Sequence, residues 1–239
     1  MTYNVSYGQD IPSDSIILRK IFGKTDKNGI TYSYKYDGEI NIFSYQDSVV
    51  YRVVFRSKIT LDNRNLIITI LEAPYGTQHG HQFGFQDIYL FESIKGQLET
   101  VNSFKTEDIY PIGDVSEFEI VEIGKNKNAL ISTFQSTGNH HFQNTKDFTL
   151  IELNGIKSLF SLTIGYDNSF CKPAESENDS CEAKRFEKTY EILKANSEWY
   201  NIKVHHKEFG FTKGCRESFI KEEYDEEYIF NDGKYVEKK

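Results

Sequence analysis

Methionine occurs only at position 1 and tryptophan only at position 199, and 4 prolines are spread over 239 residues. So few prolines leave long stretches in which every backbone N–H can join a sheet ladder. No run of 18 apolar residues exists, which excludes a membrane-crossing helix. The first residues, "MTYNVSYGQDIPSDSIILRK", hold no apolar core of the kind a secretory signal needs. Basic residues are in the minority, with a net charge of −8 and a pI near 5.3. No Lys/Arg cluster is long enough to make a phosphate-binding face, so a nucleic-acid partner is not expected.

Catalytic signatures are missing as well. There is no G-x-S-x-G elbow, no G-x-x-x-x-G-K-[ST] phosphate cradle, no dinucleotide fingerprint, no H-E-x-x-H helix and no paired C-x-x-C. Asp and Glu, 36 in all, are too numerous for any pair to stand out as a glycosidase couple. The expectation is a protein that is not an enzyme and carries no cofactor. Cysteine is scarce too. Cys171 and Cys181 bracket the polar stretch "KPAESENDS", and the two read as a disulfide clamping a loop. That pairing points to a periplasmic or exported protein, with a reduced pair in the cytoplasm as the alternative. Cys215, in "TKGCRES", reads as a bystander.

What the chain has in quantity is aromatic residues, 16 Tyr and 18 Phe. Together with β-branched residues they fill pleated, half-buried surfaces, and the fold class they imply is all-β. "ITYSYKY" and "INIFSY" alternate, and Asn28-Gly29 and Asp37-Gly38 are tight-turn dipeptides. The unbroken run Leu66 to Leu71 reads as a strand covered on both faces. Further strands follow in groups of three, four and four. Lys95-Gly96, Asn154-Gly155 and Asp232-Gly233 mark hairpins. "EAKRFEKTYEILKANSEW" has helical spacing at Phe186, Tyr190 and Leu193, but it also alternates and is assigned to a strand. The architecture expected is an antiparallel meander of hairpins, propeller-like or a sandwich. No linker divides the chain, so a single domain over 1–239 is the default, with a hairpin subregion at 1–60.

Six histidines fall in three close pairs: His79/His81, His140/His141 and His205/His206. Alternation would let His79 and His81 share a face, but neighbouring histidines on a strand face opposite ways, so these are expected to be polar loop residues without an ion. The stretches "APYGTQHGHQFGFQ" and "FQSTGNHHFQNTK" read as long strand connections, and such loops on a rigid scaffold carry contacts. They supply Tyr75, His79, His81, Phe83 and Phe85, then His140, His141 and Phe142, as partner-binding candidates. The acidic run holding Glu222, Glu223 and Asp225 is either a solvated strand edge or a surface matched to a basic protein.

"LIITILEAPYGTQHGHQFGFQDIYLFESIKGQLETV", followed by "FEIVEIGKNKNALISTF" and "FTLIELNGIKSLFSLTIG", resembles in rhythm a loose group of exported bacterial all-β proteins. Cysteines often stand in that group where this chain has His79 and His81. The resemblance implies a periplasmic immunity protein that inhibits a secreted antibacterial toxin by occluding its cleft. The alternatives are a metal-dependent hydrolase using the histidine pairs and an envelope carbohydrate-binding module.

Overall fold

Alternating residues between tight turns fold here as long antiparallel ladders. The computed structural model describes residues 11–35, 48–78, 81–104, 110–111, 115–138, 141–168, 183–212 and 217–238. The chain divides into two compact units. One is Met1–Gly113 with Leu153–Gly155, and the other is Asp114–Glu152 with Ile156–Lys239.

The first unit opens with a helix, α1 (Asp14–Phe22), and continues through β1 (Thr31–Lys35), β2 (Ser48–Leu61), β3 (Arg64–Gln78), β4 (His81–Ile94), β5 (Gln97–Phe104) and β6 (Tyr110–Pro111). Strands β1 to β5 pair in sequence order, and β6 pairs with β4. The helix departs from the all-strand expectation, yet its signals are local. Asp14 occupies the first turn, Arg19 and Lys20 the last, and Gly23 closes it in the left-handed region at φ 77°. Ile17 and Leu18 bury fully against Tyr51, Ile67, Leu71 and Phe91. Leu66 to Leu71 is buried throughout, as the unbroken apolar run implies. Glu72, also buried, lies 3.6 Å from Arg52, and burial raises its pKa.

The second unit holds β7 (Val115–Gly124), β8 (Lys127–Gly138), β9 (His141–Glu152), β10 (Gly155–Asp167), β11 (Arg185–Leu193), β12 (Asn201–Phe211), β13 (Ser218–Asn231) and β14 (Lys234–Glu237). All eight make one antiparallel sheet in chain order. The strand groupings read from rhythm therefore merge. "ESFIKEEY" and "EYIFN" are one continuous β13, and the β9–β10 turn residues are Leu153 and Asn154, one position earlier than Asn154-Gly155. "RFEKTYEIL" is a strand, as assigned.

This sheet curls until β7 meets the segment entering β12. Tyr200 N–H donates to the Ile123 carbonyl at 2.9 Å, and Lys125 N–H donates to the Glu198 carbonyl at 3.1 Å. From β14 the Tyr235 hydroxyl lies 2.8 Å from the Tyr200 carbonyl and 3.2 Å from that of Ile123. The inner face holds the core, with Ile131, Phe148, Leu162, Ile202 and Val204 all buried. Right-handed strand twist, accumulated over eight strands, is what lets one face wrap its own side chains.

Candidate interaction site

On β12 the buried residues Ile202, Val204 and His206 alternate with the more exposed Lys203, His205 and Lys207, so the two faces carry different chemistry. Register extends each face to the neighbouring strands. Across from His206 stand Lys188 on β11 and Tyr224 on β13.

The inner face carries a row of stacked rings. Tyr166 and Phe186 have centroids 5.9 Å apart, Phe186 and His206 5.6 Å, and His206 and Tyr224 4.6 Å, with interplanar angles of 16°, 21° and 15°. Because the planes are nearly parallel, the inner rings cover each other's faces. His206 is 8% exposed, and its Nδ1 has no hydrogen-bond partner among the described residues. Burial, with the Lys188 ammonium close by, lowers its pKa. Lys188 itself pairs with Glu226 at 3.2 Å, and the Tyr228 hydroxyl donates to the same carboxylate at 3.0 Å.

The outer face carries a charge ladder. The ring nitrogens of His205 lie 2.9 Å from Asp225 and 2.8 Å from Glu223. Lys203 sits 2.7 Å from Asp225, and Lys207 3.5 Å from Glu223. Hydrogen bonds to the two carboxylates raise the His205 pKa, and Lys203 followed by His205 lowers that of Asp225. The acidic run is thus interleaved with cations from β12. Glu222 differs, for its side chain makes no hydrogen bond or ion pair with another described residue.

At the far end of this hairpin β13 has a bulge. Glu208 faces Glu222, the next pair is Phe209 with Ile220, and Lys221 is the extra residue, 2.5 Å from Glu208. Phe219 lays its ring over Gly210, where an added Cβ would be 2.6 Å from the ring. Arg185 sits 4.6 Å over the Phe209 ring. Between Lys184, Phe186, Glu208, Gly210 and Lys221 lies an open cleft of about 520 Å3. Phe219 and Ile220 are 53% and 52% exposed, one on each side of the tip, and Tyr224 is 39% exposed.

The histidine-bearing stretches, expected to be long connections, are strand ends. Gln78 pairs with His81, Gly76 with Phe83 and Ala73 with Phe85, while Gly138 pairs with His141 and Thr137 with Phe142. The glycines and polar residues there alternate well enough to continue both ladders, with one irregularity at Tyr75. His81, Phe83 and Phe85 belong to the first unit, His141 and Phe142 to the second. His79, His140, Cys171, Cys181 and Cys215 lie outside the described residues. Among the described residues no three His, Cys, Asp or Glu side chains are placed to hold a metal ion, and no helix is long and apolar enough to cross a membrane. Of the candidates, Glu222, Glu223 and Asp225 fall within the ring-and-ladder site. Sequence reasoning misses Phe219, Ile220, Phe186 and His206 as members of this site, and alternation along β11 and β12 is the signal that points to Phe186 and His206. No family model, curated protein or solved structure matches this chain.

Proposed function

We propose that this protein acts by contact rather than by chemistry, binding a protein partner through the β11–β13 end of its second unit. The observation that carries this reading is the exposure of Phe219 and Ile220, one on each face near the end of the β12–β13 hairpin, with Tyr224 exposed farther along β13. Removing an apolar side chain of that size from water stabilises a complex by about 1.5–3 kcal/mol. Large apolar side chains left exposed beside charged ones are candidate contact points on either face. The mixed-sign ladder behind the tip would set orientation more than affinity.

The form of this function that the resemblance implies is neutralisation of a secreted antibacterial toxin in the periplasm, by covering its cleft. The test is to mix the purified protein with proteins encoded beside its gene. A complex of micromolar affinity or tighter is expected, weakened at least about tenfold by Phe219→Ser with Ile220→Ser. Failure of every such protein to bind, or binding indifferent to the double substitution, defeats the reading. The uncovered face of Tyr224 favours a second reading, a glycan-binding module of the envelope. Binding to peptidoglycan fragments that is lost in Tyr224→Ala would select it.

A further inference from the structure

Among the described residues, strand β13 is an edge over more than half of its length. β14 pairs only with Tyr228 to Asn231, followed by one hydrogen bond from Lys238 N–H to the Glu227 carbonyl at 2.7 Å. Among the described residues no strand lies along the outer side of 218–226, and every residue from Ser218 to Asp225 is exposed.

The single bond at Glu227 fixes the direction of the unused backbone groups. In an antiparallel strand a residue's N–H and C=O point to the same side, and the sides alternate. Glu227 points outward to β14, so Asp225 and Glu223 also present their N–H and C=O groups outward. Tyr224 and Glu226 turn theirs toward β12. The open edge therefore offers two complete donor–acceptor pairs in register.

Two further features restrict what can add there. Tyr224 ends the ring row, with His206 stacked on one side and no ring on the other among the described residues. An aromatic residue placed opposite Tyr224 on an added strand would extend that row by one step. On the same face, two positions either side, stand Glu222 and Glu226. Glu222 has no ion partner among the described residues, so a cation opposite it would supply one. Acidic residues on this edge also disfavour pairing with a second copy of the same strand, because like charges would meet. They leave the edge open to a strand of the opposite sign.

We infer that the outer edge of β13 takes up an extended peptide segment by strand addition, with an aromatic residue of the segment opposite Tyr224 and basic residues opposite Glu222 and Glu226. This rests on the contact reading above and names the partner's chemistry at that site.

The probe is a seven-residue peptide in which threonine alternates with lysine, tyrosine and lysine, capped at both ends and followed by fluorescence anisotropy. Binding that saturates below about 1 mM is expected. Replacing its tyrosine by alanine should weaken it about tenfold. N-methylation of the two inner threonines, whose N–H groups face β13, should abolish binding, whereas N-methylation of the lysines should not. Glu223→Pro, which removes one outward N–H at a position an edge strand tolerates, should act like the threonine methylation. Trp199 emission would show that the sheet is intact. Binding insensitive to N-methylation but lost in Phe219→Ser would overturn strand addition and leave the contact reading standing. No peptide binding at all also overturns it, and the contact reading is then decided separately by the neighbouring-gene proteins.

Discussion

His205 and His206 are adjacent on β12, and strand geometry turns them to opposite faces, one onto carboxylates and the other into a stack of rings. The folded pKa of His205 is raised above its ordinary 6.5. The stability from its bonds to Asp225 and Glu223 is thus fully present below pH 6.5 and is lost as pH climbs through the raised value. His206 behaves oppositely. Its folded pKa is lowered beneath 6.5, so below that pH the unfolded chain accepts a proton that the fold refuses, and stability falls. The carboxylates of Glu226, Glu208 and Glu222 moderate this, but burial and Lys188 outweigh them. His206→Phe keeps a ring between Phe186 and Tyr224 and removes the unpartnered Nδ1. It should stabilise the fold by about 1 kcal/mol at pH 7 and flatten the decline between pH 6.5 and 5. Urea midpoints at pH 7 and pH 5 check this, and an equal acid-induced drop in both proteins would count against it. The sequence displays the histidine pair plainly. It hides the carboxylates that tune His205, which lie 18 and 20 residues away and are brought near only by the β12–β13 register.

The elements are legible where a two-residue period runs between polar turns, as in β1 and β11, or where an unbroken apolar run marks a buried strand, as in β3. The boundary errors have physical causes. Helix α1 is only nine residues long, so its caps and its Ile17–Leu18 pair outweigh any sustained periodicity. β13 reads as two strands because its middle, Glu222 to Glu227, is polar on both faces, as an edge strand is allowed to be. Which strands meet to bend the sheet is not legible, because that meeting depends on one glycine. Gly124 forms an isolated bridge with Trp199, and a Cβ there would run into the Glu198 carbonyl oxygen and lie 3.1 Å from the Trp199 Cα. Those obstacles are backbone atoms, which cannot rotate aside. Gly124→Ala should therefore cost about 1–3 kcal/mol and loosen the joint between β7 and the entry to β12. The single tryptophan reports on that joint directly. It stacks on Phe230 at 3.5 Å and sits beneath the Lys127 ammonium at 4.7 Å. A red-shifted emission with a lowered melting temperature is the expected outcome. Unchanged emission and stability would mean that this closure contributes nothing.

At the scale of the molecule, two clusters of buried side chains share no residue, while other described residues, among them Leu66, Ile68, Leu90, Leu130 and Ile151, are buried outside both. One is centred on α1 with β2 to β4, the other on the inner face of the eight-stranded sheet. Nothing in composition marks the division. Both units are built from the same alternating aromatic and β-branched residues, and the chain passes from one to the other without a proline- or glycine-rich linker. Every residue of the second cluster lies between Val121 and Tyr235, and that makes the division testable. A fragment covering residues 114–239 retains Phe148, Leu162, Ile202, Val204 and Tyr235, as well as the β9–β10 turn that connects two of its strands. It should fold alone, melt in one cooperative transition and show the same Trp199 emission as the full chain. Gly124→Ala should lower its stability by the same amount as in the full chain, within about 0.5 kcal/mol, since sites with no shared partners add. If the fragment gives no transition, or if the substitution costs much less there than in the full chain, the second core is not self-sufficient.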